Sequence, residues 1–101
     1  MSEKKPEDKK KVNIQIQLDE EMAQGLYSNL AMVNHTDSEF TLDFIYVQPQ
    51  QPKAKVRARV ITSPRHTKRL LEALKDNVAK YEKRFGVIDI SGPAPGEGML
   101  H

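Results

Sequence analysis

The chain has no cysteine and no tryptophan. The first absence removes disulfides, thiolate metal sites and cysteine nucleophiles together. No run of about 18 apolar residues occurs anywhere, so nothing reads as a membrane-spanning helix. The opening MSEKKPEDKKK is charged throughout, and no apolar stretch of signal-peptide type follows it. These features together lead to the expectation of a cytoplasmic protein. Glycine-rich phosphate loops are also missing: the one glycine cluster, GPAPGEG, precedes no helical pattern. Charge of one sign is in short supply too. A formal net charge of +2 is too small to announce a nucleic-acid partner, so electrostatic arguments depend on where the charges sit.

What is present is enough for one domain. With 101 residues, 38% apolar and 30% charged, the chain is globular but polar, with a modest core. Residues 1–11 have nothing to bury and read as a disordered charged arm. Residues 91–101 are punctuated by glycine and proline and read as a flexible tail. Residues 12–90 are the expected folded domain.

Within it, VNIQIQL at 12–18 alternates apolar and polar side chains, the pattern of a half-buried strand. Asp19 then either breaks the strand or caps a helical turn over 20–24. A second strand is expected over 26–34. Leu26, Leu30 and Met32 lie on one of its faces, and Tyr27, Ala31 and Val33 on the other. After the polar turn Asn34–Ser38, FTLDFIYV forms a third strand, with Phe40, Leu42, Phe44 and Tyr46 opposed to Thr41, Asp43, Ile45 and Val47. Pro49 and Pro52 interrupt pairing. KAKVRARVIT then carries the clearest period-2 signal in the chain, with Ala54, Val56, Ala58 and Val60 inward and Lys53, Lys55, Arg57 and Arg59 outward.

The last element carries signals at both ends. Ser63 is a good N-cap, Pro64 suits the first helical position, and Gly86 suits a left-handed stop. Between them Leu70, Leu71, Leu74, Val78, Tyr81 and Phe85 recur every three or four residues as one apolar stripe. Val87–Ile90 suggest a short edge strand. The expected fold is therefore α+β: an antiparallel meander of about four strands, then one long amphipathic helix.

Two surfaces emerge as candidates. One helix covers one face of such a sheet, so apolar residues on the other face, Tyr27, Ala31, Val33, Ile45 and Val47, point to self-association as a dimer. The cations Lys53, Lys55, Arg57 and Arg59 stand about 7 Å apart along a strand, and Arg65, Lys68 and Arg69 extend them at the helix start. That row fits a nucleic-acid backbone. A solvated face that discourages edge pairing is the plainer and preferred reading, because Phe40, Phe44 and Tyr46 point away unless the register slips. Asp43 is placed to pair with Arg57 or Arg59. One histidine in Asn34–Glu39 gives too few ligands for a metal, and no serine sits in a nucleophile elbow. No cofactor and no catalytic residue is expected.

The pieces LDEEMAQGLYSNLAMVNHTDSEFTLDF, PKAKVRARVITSP and HTKRLLEALKDNVAKYEKRFG resemble the small microbial proteins grouped as domain-of-unknown-function family 3467. The resemblance covers about three quarters of the chain and places Tyr27-Ser28-Asn29, Asn34-His35 and Glu39-Phe40 in the family pattern. It implies no activity. The meander followed by a helix is also loosely similar in architecture to SecB-type chaperones. The resulting expectation is a non-enzymatic binding or adaptor protein, homo-oligomeric and acting on a protein partner in a chaperone-like way. A nucleic-acid-binding module is the alternative.

Overall fold

The computed structural model describes residues 13–92. A short helix α1 (Glu20–Ala23) precedes strands β1 (Leu30–His35), β2 (Phe40–Val47) and β3 (Ala54–Thr62), and a long helix α2 (Pro64–Phe85) follows. The strands form one antiparallel sheet in the order β1-β2-β3. The expected arm over 1–11 and the tail beyond 92 lie outside the described residues.

The α+β plan and the meander-then-helix order hold, with three strands rather than about four. Residues 13–18 form no strand. Alternation makes a segment fit a sheet edge, but pairing also requires an edge that takes it, and Ile14 and Ile16 stay exposed. The helical turn forms, with Asp19 at its N-cap position and Ala23 N–H donating to Asp19 C=O at 2.8 Å, but the Asp19 side chain makes no capping hydrogen bond. Residues 87–90 add no edge strand either.

Local chemistry explains each hairpin. Thr36 organises the first turn: its Oγ1 accepts from the backbone N–H groups of Ser38 and Glu39, both at 3.2 Å. His35 and Phe40, which oppose each other across this turn, stack with ring centroids 5.3 Å apart. At the other end Asn29 acts as a substitute strand residue. Its Oδ1 accepts from Val47 N–H at 2.9 Å, and its Nδ2 donates to Val47 C=O at 3.1 Å. One side chain thus satisfies both backbone groups of a buried residue.

The central strand holds the core. Among the described residues, Leu42, Ile45 and Val47 are the buried apolar ones, at 5–8% exposure, and Asp43 is buried with them. A middle strand loses solvent on both edges, whereas β1 and β3 each pair on one side only. Helix α2 starts as the sequence predicts: Ser63 Oγ accepts from His66 N–H at 3.1 Å, and Pro64 follows it. It stops at Gly86, whose φ of +105° lies in the range that favours glycine. No residue of α2 is buried, although it is about 33 Å long at the α-helical rise.

Candidate functional site

The basic strand is not one row. In the β2–β3 register Phe44 pairs with Ala58, but the next residue, Ile45, pairs with Val56. Arg57 is therefore an extra residue, a β-bulge, and the side-chain parity of β3 reverses across it. Before the bulge, Lys55 lies opposite Tyr46; beyond it, Arg59 lies opposite Asp43, on the other face of the sheet. The inward set divides in the same way. Ala54 and Val56 share a face with Val47 and Ile45, while Ala58 and Val60 share one with Phe44 and Leu42. This is the register slip that the unbroken alternation from Lys53 to Val60 concealed.

The bulge gives the two halves different surroundings. Arg59 is taken up by Asp43, with Nε to Oδ1 at 2.7 Å and Nη2 to Oδ2 at 2.9 Å. This two-point contact holds the Asp43 carboxyl below its ordinary range. The hydrogen bond from Arg59 is the largest cause and its charge adds to it, outweighing the opposing effect of burial. The same contact raises the Arg59 value. Of the two arginines expected to pair with Asp43, the structure selects Arg59.

The other half borders a cleft of ≈ 620 Å³ lined by Tyr46, Gln48, Gln51, Lys53, Ala54, Lys55 and Arg57. Tyr27 meets Tyr46 edge to face, at 6.1 Å between ring centroids. The hairpin that forms one wall is closed by Gln48 N–H donating to Lys53 C=O at 3.0 Å. Arg65, Lys68 and Arg69 do not extend this patch. They border a separate surface at the start of α2, and Thr62, which precedes that start, is about 23 Å along β3 from Lys55 at the strand rise.

The expected self-association patch is likewise divided. Ala31 and Val33 oppose Phe44 and Leu42, while Ile45 and Val47 project from the opposite face. Tyr27, Ala31 and Val33 are exposed, but Ile45 and Val47 are buried within the chain, so the bare second face does not form as expected. The larger open apolar surface is on α2. Leu70, Leu71, Leu74, Val78, Tyr81 and Phe85 are all 41–65% exposed. At the first turns of the helix this stripe runs into an apolar groove of ≈ 550 Å³ shared with Val33, Phe40 and Leu42. The stripe itself was legible in the sequence; the assumption that the sheet would cover it hid its importance.

Among the described residues, no helix is long and apolar enough to cross a membrane, and no three potential metal-ligating side chains come together. The chain matches the family described as "Protein of unknown function (DUF3467)" over residues 1–90, and it belongs to that family. No curated protein and no solved structure is detectably similar. The architectural likeness to SecB-type chaperones accordingly finds no support among solved structures.

Proposed function

We propose that this member of the family is a non-enzymatic binding protein that works as a homodimer, with the α2 stripe as its joint. The observation that carries the reading is a helix of 22 residues with a continuous apolar stripe and not one buried residue. Isolated helices are marginal in water, and most helical stability in proteins comes from covering the apolar face.

The area is of the right size. An aromatic side chain presents about 150–250 Å², and an aliphatic one roughly 100 Å² by its transfer free energy. Scaled by their exposures, the six stripe residues leave open about 400 Å² per copy. Monomers rarely expose a contiguous apolar patch beyond a few hundred Å², and a stable interface takes about 800 Å² per partner. The stripe supplies about half of that, and the side chains that flank it on α2 would have to supply the remainder. A second copy brings an identical stripe, so a two-fold arrangement satisfies both at once.

The apolar groove that Val33, Phe40 and Leu42 share with the start of the stripe is also of a kind that takes a protein segment, which keeps an adaptor or chaperone-like role within this reading. Sedimentation of the full chain at micromolar concentration tests it. A mass near twice 11.5 kDa supports the homodimer, and a strictly monomeric mass overturns it.

A further inference from the structure

From the bulge at Arg57 and the tyrosine pair beside it, we infer that the Tyr46 cleft is a binding site for single-stranded nucleic acid. The bulge brings together on one side of the sheet the two components that such a site needs. Proteins that hold single strands combine cations that follow the phosphates with aromatic rings on which bases stack. Here Lys53, just before β3, and Lys55 within it are two residues apart, about 7 Å at the strand rise, close to the repeat of an extended sugar–phosphate chain, and Arg57 adds a third cation. Tyr46 borders the same cleft, and Tyr27, itself exposed, stands edge-on to it. Gln48 and Gln51 bring amide donors and acceptors that can meet base edges.

The charge pattern favours a polyanion. Among the described residues, no carboxylate lines the cleft. Asp43, the acidic residue of the central strand, is on the opposite face and engaged by Arg59. Unpaired bases can enter the cleft and reach the tyrosines. A duplex keeps its bases stacked inside and would offer the site its phosphates alone. The inference concerns a different surface from the α2 stripe and stands or falls separately from the homodimer.

Fluorescence anisotropy of a labelled oligothymidylate with the full chain, across a salt series, provides the test. The single strand should bind more tightly than a duplex of the same length. Lys55→Ala with Arg57→Ala should lower the slope of log K against log salt by about 1.4, since each phosphate contact contributes about 0.7 for single strands. Tyr46→Ala should weaken binding roughly 5- to 150-fold while Tyr46→Phe retains it. If Tyr46→Ala fails to fold, the exposed Tyr27→Ala gives the same readout. Arg65→Ala with Lys68→Ala and Arg69→Ala should leave the affinity within about twofold, since those residues border another surface. Any of four results overturns the inference: no binding, equal binding of the duplex, equal competition by poly-glutamate, or an unchanged salt slope in the Lys55/Arg57 variant. The last would assign binding to the lysines of residues 1–11.

Discussion

Leu74 is the residue at which the dimer reading can be tested most sharply by a single substitution. It sits mid-stripe and also lines the groove with Val33, Phe40 and Leu42, yet 54% of it is exposed in one copy. Full burial of a leucine side chain is worth about 1.5–3 kcal/mol, so covering the open half contributes about 1–1.5 kcal/mol. A two-fold interface counts the residue twice, which gives about 2–3 kcal/mol for Leu74→Ala, or roughly 30- to 150-fold in the dimer dissociation constant. Alanine is the better helix former, so the helix itself is retained, and far-ultraviolet circular dichroism at high protein concentration should confirm it. Asp76→Ala, on the opposite face of α2, is the control and should change the constant by less than about twofold. Sedimentation velocity over a concentration series reads both. An unchanged constant for Leu74→Ala, or an equal loss for Asp76→Ala, would refute the reasoning.

Three further substitutions test the frame that holds these surfaces. Asn29→Ala removes both partners of the buried Val47 backbone and should cost about 1–3 kcal/mol in urea unfolding at fixed protein concentration; a loss under about 0.5 kcal/mol would count against the substitute-strand role. Gly86→Ala should cost about 1 kcal/mol by the same measurement. The +105° φ is then the cause, because a side chain there meets no neighbouring atom within 4 Å. Asp43→Asn should change the acid limb of the stability curve. The Asp43 carboxyl is held below its ordinary value of 3.8 by Arg59, so its contribution is complete above about pH 4 and drains as the pH falls through the lower folded value. The variant should be less stable at neutral pH and should show a shallower loss below about pH 4; parallel curves for the two proteins would contradict this.

The parts of the fold written in local chemistry were readable in advance. Ser63, Pro64 and Gly86 mark α2 within a residue at each end, because capping and the left-handed stop depend on neighbours in sequence. Thr36–Glu39 and the prolines of the second connection likewise locate the turns. The parts that depend on partners were not readable. VNIQIQL has the alternation of a half-buried strand, but alternation alone does not say whether a sheet edge accepts it. From Lys53 to Val60 the alternation is unbroken, and the bulge at Arg57 appears only when β3 is laid against β2, where Ile45 follows Phe44 but Val56 stands opposite it. That single extra residue decides which cations stand beside Tyr46 and which one goes to Asp43. The α2 stripe shows a third kind of limit: its amphipathicity demands a cover without naming one.

The absence of cysteine makes the most direct measurement of that cover straightforward, since every introduced thiol is unique in the chain. Single cysteines placed in turn at Leu70, Leu74, Val78, Tyr81 and Phe85 can be oxidised in the full chain and read as covalent dimers on a non-reducing gel. Two Cα atoms must come within about 7 Å to be bridged, so only positions near the two-fold axis can react. A homodimer joined along α2 gives efficient cross-linking at one or two neighbouring stripe positions and none from Asp76→Cys on the opposite face. Equal cross-linking from Asp76→Cys, or none anywhere along the stripe, would contradict it.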